Sequence, residues 1–280
     1  SGTARLFEIL DYEPEIEDSP SREFPDLSGK ISVQNLSYEY EGKGKLAINN
    51  LTFEVNPGET IAILGRVGSG KSTLLRLFVR LLDPSHGQIY LDGHPINGFP
   101  LARLREKVCL VLQDPFLFAD SLGDNIAYDN PGRDPSEILE ITKAAALDDT
   151  VEGFPEGLDT ILGERGVTLS GGQKQRTALA RGLIRQSPIL ILDDCFSAVD
   201  TETEERILFG LKQMRKNSTT LLVSHRVSTA RHADRIMVLE HGEIKEIGTH
   251  NELLNLGGFY ANLELAQRNT EDKPKPRRLG

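Results

Sequence analysis

Several things are scarce in these 280 residues. Only two cysteines occur, Cys109 and Cys195. One lies inside the apolar run VCLVLQ and the other follows two acids. Two scattered cysteines make neither a disulfide framework nor a zinc-ligand pattern, and they read as buried thiols of a reducing compartment. Long apolar runs are missing. LLRLFVRLL comes nearest and is broken by Arg76 and Arg80, well short of the roughly 18 residues that a bilayer-spanning helix needs. No signal-peptide pattern opens the chain. The expected setting is the cytoplasm, or the cytoplasmic part of something larger. Positive charge is in deficit, with 32 Lys and Arg against 42 Asp and Glu, a net charge of −10. A binder of nucleic-acid backbones needs a basic face, so nucleic acid is not an expected partner. No internal repeat is found.

The charge is unevenly spread. Residues 1–28 carry eight acidic and two basic side chains, and residues 264–280 carry three and five. The first segment reads as a short helix, ARLFEIL, followed by an acidic Pro-containing linker. A folded domain is expected over residues 29–262. The remainder, 263–280, is polar and rich in Pro, Lys and Arg, and is expected to be a disordered tail.

Inside the domain, ISVQNLSYEY and LAINNLTFEV read as strands joined by a turn. ETIAILG is a strand leading into a helix, KSTLLRLFVRLL. After the strand GQIYLDG come a helix, LARLREKV, and the strand VCLVLQ. Residues 120–186 are largely helical. The strand ILIL, the helix TETEERILFGLKQM, the strand TTLLVS and two short strands complete the domain. Strands alternating with helices predict an α/β fold with a largely parallel sheet. IAIL, CLVL, ILIL and LLVS are continuously apolar, as strands buried on both faces are. They end on Gly65, Gln113, Asp193 and His225. Ligands of open α/β sheets bind beyond the carboxyl ends of the strands, so these four residues point to one site.

GRVGSGKST (residues 65–73) fits the phosphate loop G-x-x-x-x-G-K-[ST], between a strand and a helix as the motif requires. Gly65, Gly68, Ser69 and Gly70 let the backbone wrap a polyphosphate, and the helix start adds positive potential. Lys71 would neutralise the β- and γ-phosphates, Ser72 would ligate Mg²⁺, and Thr73 is counted with them among the nucleotide-binding residues. Asp193, at the end of a neighbouring strand, holds the same ion directly or through water. Side chains alternate in extended backbone, so Asp194 is expected to face away from Asp193, toward an attacking water, as a general base. His225 would contact the γ-phosphate or place the water, and the Gln113 amide would reach the metal or the water. In LSGGQKQR (residues 169–176), Ser170 can cap a helix whose start Gly171 and Gly172 leave open to a phosphate.

Together these residues resemble an ATP-binding-cassette (ABC) ATPase over roughly residues 30–262. GRVGSGKS resembles Walker A, ILILD Walker B, LSGGQ the signature, Gln113 the Q-loop, His225 the H-loop and SAVD (residues 197–200) the D-loop. Tyr40 matches the aromatic that stacks on adenine. TILGERG (residues 160–166) and the N-terminal linker resemble the exporter branch. The resemblance implies a P-loop NTPase (RecA-like) core, an N-terminal antiparallel β subdomain, and a helical subdomain over about 120–186. It also implies ATP and Mg²⁺ as ligands, and a transmembrane domain of six helices elsewhere in a longer chain at the cytoplasmic face of a membrane. A second nucleotide-binding domain would complete each ATP site with its LSGGQ, so Ser170, Gly171, Gly172 and Gln173 would serve the partner's nucleotide.

One position departs from the family. The residue after the Walker B Asp is usually Glu, and here it is Asp194, shorter by one methylene. That resembles the degenerate, slow half of heterodimeric exporters, whose partner carries the Glu. Two readings follow: an exporter ATPase whose own site is slow, or an ATP-dependent clamp that completes a partner's active site. ABC-type DNA-repair ATPases carry long coiled-coil insertions between the Walker motifs. No sustained heptad occurs here.

Overall fold

The structure is a computed structural model that describes residues 5, 7, 10, 11, 14–19, 25–42, 44–166 and 168–271. Of the expected helix ARLFEIL only Arg5, Phe7 and Leu10 are among these residues, all three helical; the rest of it, part of the acidic linker and 272–280 of the expected tail lie outside them. Residues 17–19 of the linker are tied to the domain. Arg80 Nη2 donates to the Glu17 carbonyl at 3.2 Å, Leu101 N donates to Asp18 Oδ1 at 2.7 Å, and Ser19 Oγ donates to the Gly98 carbonyl at 2.9 Å.

Strands in chain order are β1 (Ile31–Glu39), β2 (Leu46–Val55), β3 (Thr60–Leu64), β4 (His86–Leu91) and β5 (His94–Pro95), then β6 (Val108–Val111), β7 (Ile189–Asp193), β8 (Thr219–Val223), β9 (Arg235–Glu240) and β10 (Glu243–Gly248). They form two sheets. An antiparallel sheet runs in the order β2-β1-β4-β5, and a second sheet in the order β10-β9-β3-β8-β7-β6. In the second sheet the pairs β6–β7, β7–β8, β8–β3 and β3–β9 are parallel, and β10 is antiparallel to β9. This is the mixed α/β fold with an antiparallel β subdomain that the sequence predicts.

The continuously apolar strands are buried for the predicted reason. One core lies between the two sheets and around the helix Lys71–Phe78, and includes Ile31, Val33, Ile61, Ile63, Leu74 and Phe78. A second core joins Leu190 and Leu192 of β7 to the helical part through Leu122, Ile126, Leu179 and Leu183. Each such side chain contributes about 1.5–3 kcal/mol when fully buried. Both cysteines are buried free thiols.

Two expectations are corrected. The helix that opens with Lys71 ends at Phe78 rather than running on through the apolar run. Arg80 takes a left-handed φ of 46°, and its guanidinium pairs with both Asp83 carboxylate oxygens at 2.9 Å, which turns the chain. The expected disordered tail begins too early. Residues 263–271 belong to a helix, Phe259–Glu271. Long-range partners fix it: Tyr260 is fully buried, its hydroxyl lies 2.6 Å from His250 Nδ1, and the Glu246 carboxylate accepts from the amides of Phe259 and Tyr260.

Candidate functional site

The glycine loop between β3 and the helix Lys71–Phe78 is glycine-rich for steric reasons. Gly70 has φ of 107°, and a Cβ there would lie 2.5 Å from the Ala47 carbonyl oxygen. At Gly65 a Cβ would come within 2.3 Å of the Leu239 carbonyl oxygen. Neither contact is tolerable, so the two backbones pass each other only because the side chains are absent. No side chain caps the helix start, which leaves its first N–H groups for an anion. Lys71 is buried inside the loop. Its Nζ donates to the carbonyls of Gly65 at 2.7 Å and Arg66 at 3.0 Å, and reaches Ser69 Oγ at 3.5 Å. Burial lowers its pKa, and Asp193 and Asp194 offset part of that.

The acid pair differs from expectation in one respect. Asp193 ends β7, but Asp194 has left the strand. Its φ is 44°, and its amide donates to the Val223 carbonyl at 3.0 Å. The alternation of extended backbone therefore does not apply, and both acids line the same cleft. Burial raises both pKa values. Asp194 raises that of Asp193 further, while Lys71 and His225 pull both down. Gln113 Nε2 lies 3.4 Å from Asp194 Oδ2.

The cleft has a volume of about 460 Å³, within the usual range of roughly 300–1,000 Å³ for ligand pockets. Tyr40, Gly68, Gly70, Lys71, Ser72, Thr73, Gln113, Asp193, Asp194 and His225 line it together. Gly65 and Ser69 stand behind, in contact with Lys71. Tyr40 OH lies 3.2 Å from Thr73 Oγ1, and its ring packs edge-on against Tyr38. Sequence reasoning missed Lys45, Leu46, Ala47 and Val67, which line the same cleft. Val67 is a variable position of the phosphate loop; Lys45, Leu46 and Ala47 carry no motif, and the close approach of the chain around Ala47 to Gly70 brings them there.

The signature residues lie apart from this cleft. Ser170 Oγ accepts from Gln173 N at 3.3 Å, and Gln173 Oε1 accepts from Ser170 N at 2.8 Å, a reciprocal cap on the helix Gly171–Leu183. Gly172 has a packing reason as well: a Cβ would lie 2.7 Å from the Ala198 carbonyl oxygen. A residue that the sequence did not single out joins this helix to the cleft. Buried Gln175 donates to the Gln113 carbonyl at 3.2 Å and to Ser197 Oγ at 2.8 Å, and accepts from Ala198 N at 2.9 Å.

The residues present fit both expected ligands. Among the described residues, no group of three His, Cys, Asp or Glu side chains could hold a metal by itself. Mg²⁺ does not need one, since it is commonly held by one or two carboxylates together with phosphate oxygens and water. Asp193 and Ser72 line the same cleft, and Asp193, whose pKa burial and then the neighbouring Asp194 raise, is a carboxylate that a cation would relieve, which suits that arrangement.

A family model described as ABC transporter matches residues 48–197. Over 265 residues the chain is 44% identical to the ATP-dependent lipid A-core flippase of Haemophilus influenzae (strain ATCC 51907 / DSM 11121 / KW20 / Rd), covering 94% of this chain and 45% of that protein. It is 41% identical over 278 residues to an uncharacterized ABC transporter ATP-binding protein of Bacillus subtilis (strain 168), covering 99% and 48%. A solved structure of a bacterial Atm1-family ABC exporter with ATP bound superposes with a TM-score of 0.90 at 38% identity, covering 94% of this chain and 47% of that one. The chain spans about half the length of the curated relatives it matches.

Proposed function

This chain belongs to the ABC transporter family, and on that footing we propose that it binds and hydrolyses ATP to power export across a membrane. The observation that carries the reading is the convergence of Lys71, Gln113, Asp193, Asp194 and His225 on one cleft at the carboxyl ends of β3, β6, β7 and β8. The phosphate loop holds the polyphosphate, with Lys71 inside it. Ser72 and Asp193 hold Mg²⁺, which when bound neutralises charge on the phosphates. Asp194 accepts a proton from a water aligned by Gln113 and His225. The water oxygen bonds to the γ-phosphorus as the bond to the bridging oxygen breaks, and ADP leaves.

The same reading makes the site slow. Asp194 reaches about 1.5 Å less far than Glu would, and misplacement by about 1 Å can cost roughly 10²-fold in rate. The partner is then a second nucleotide-binding domain bearing Glu at this position. The placement of Ser170–Gln173 outside this chain's own cleft supports their serving that partner's nucleotide. A clamp with little hydrolysis of its own is the second reading, and the short Asp194 carboxylate is what favours it.

Attachment to a transmembrane domain accords with the surface near Gln113. The exposed rings of Phe116, Phe118 and Tyr128 pack together, Phe118 edge-on to Phe116 and stacked on Tyr128, with the Arg181 guanidinium over Phe118 and Tyr128. Among the described residues no helix is long and apolar enough to cross a membrane. Domains on that reading are a linker over 1–28 and the ATP-binding domain from 29.

The test is equilibrium binding of ATP with Mg²⁺ to the 280-residue chain and to Lys71→Met. Hydrogen bonds to a charged group are worth about 1.5–3 kcal/mol, so affinity should fall roughly 10- to 100-fold. Equal affinity would remove the cleft from consideration as the phosphate site.

A further inference from the structure

The helix Phe259–Glu271 lies where a tail was expected, and it touches the cleft's machinery twice. Its N-terminal end is fixed by buried Tyr260 and by the Glu246 carboxylate that accepts from two of its amides. Two turns on, Gln267 lies on the same face as Tyr260, as a seven-residue spacing requires. The Gln267 side chain there meets the loop that carries His225. Its Nε2 donates to the His225 carbonyl at 2.8 Å, and its Oε1 accepts from Val227 N at 2.8 Å. One planar amide thus fixes a carbonyl and an N–H that flank Arg226. Glutamine suits this pair of partners: a carbonyl needs a donor, an N–H needs an acceptor, and the amide supplies both.

The second contact is at the helix start. The Phe259 ring lies under the Arg66 guanidinium at 5.6 Å, and the Arg66 carbonyl accepts from Lys71 Nζ. Between the two contacts is a cavity of about 340 Å³ bounded by Gly65, Arg66, His225, Phe259, Asn262 and Leu263. His225 borders this cavity, while the adjoining Val227 is buried in a small core with Tyr260, against which Leu263 packs. On the other side Arg226 ties the loop down, through Glu204 at 2.6 Å and the Ser197 carbonyl at 3.2 Å.

We propose that Gln267 is a positioning residue for His225, with its amide setting the backbone from which the imidazole reaches the cleft. The proposal rests on the reading of His225 as a group that acts at the γ-phosphate. Gln267 itself touches neither nucleotide nor water.

The experiment compares the native 280-residue chain with Gln267→Leu and Gln267→Glu, each alone and combined with His225→Ala. Gln267→Leu removes both bonds, and Gln267→Glu keeps the acceptor while turning a carboxylate oxygen toward the His225 carbonyl. Expected are ATP affinity within about 2-fold of native and kcat lower by roughly 10-fold or more. In the His225→Ala background the same changes should alter kcat by less than about 2-fold, because a positioning residue has nothing left to position. An equal fold-loss with and without His225, or native kcat in Gln267→Leu, would overturn the proposal. Amide hydrogen exchange supplies a readout independent of hydrolysis. Val227 N–H should exchange faster in Gln267→Leu, and unchanged protection would overturn the hold on the loop. If the native chain hydrolyses no ATP, the hydrolytic reading of the cleft gives way to the clamp reading, and the exchange result alone decides whether Gln267 holds the His225 loop.

Discussion

Replacing Asp193 by Asn should make the chain more stable and less able to use nucleotide. Adjacent Cα atoms are about 3.8 Å apart, and two carboxylates on such neighbours, roughly 6 Å apart, repel by about 0.7 kcal/mol in water and about 2.8 kcal/mol at an effective dielectric of 20. Asp193 is half-buried, and Lys71 offsets part of the repulsion. The expected gain is therefore about 1 kcal/mol, or roughly 2–4 °C in Tm for a domain of this size. The pH dependence has a definite sign. Burial and Asp194 raise the folded-state pKa of Asp193, so the fold binds its proton more tightly than the unfolded chain does. Native stability on this account falls as pH rises through that raised value. The advantage of Asp193→Asn should be full near pH 8 and should close as pH drops toward about 4, the ordinary Asp range. Saturating ATP with Mg²⁺ should reverse the order, because ligand binding stabilises the native chain more. Thermal melts from pH 4 to pH 8, with and without the nucleotide, test this. A variant that melts below native without ligand, or a gain that persists unchanged at pH 4, would refute the reasoning.

Gly70→Ala should destabilise the chain by about 1–3 kcal/mol and weaken nucleotide binding, since its Cβ would strike the Ala47 carbonyl at a φ of 107°; urea unfolding and an ATP titration check both. Ser170→Ala should cost about 1 kcal/mol through loss of the helix cap, read from the same unfolding curves, with ATP affinity of the chain's own cleft unchanged. Gly172→Ala should push the Ala198 loop away and lower hydrolysis while leaving ATP affinity unchanged, as a kcat and Kd pair would show.

The convergence of Gly65, Gln113, Asp193 and His225 was legible because it depends on local signals alone: apolar strands, their polar ends, and the rule that parallel strands present their carboxyl ends to ligands. The conformation of Asp194 was not legible, because period-2 alternation holds only while the strand lasts, and β7 ends one residue earlier. The C-terminal helix escaped because its anchors are distant. Glu246 and His250 hold Tyr260, and Gln267 finds its partners 42 and 40 positions back. Gln175 was hidden for the same reason, being one polar residue in a polar helix start until the fold lays Gln113 and Ser197 against it. The glycines of the signature were read as an opening for phosphate, and the backbone of Ala198 gives Gly172 a second reason that no local pattern carries.

The measurement that bears most directly on the account is Mg²⁺-dependent steady-state ATP hydrolysis by the 280-residue chain beside Asp194→Asn and Asp194→Glu. The account predicts slow native turnover, loss of it in Asp194→Asn, and a rise in Asp194→Glu, because only the reach of the base changes. Turnover in Asp194→Asn equal to native would contradict it, since the carboxylate at residue 194 could then not be the base.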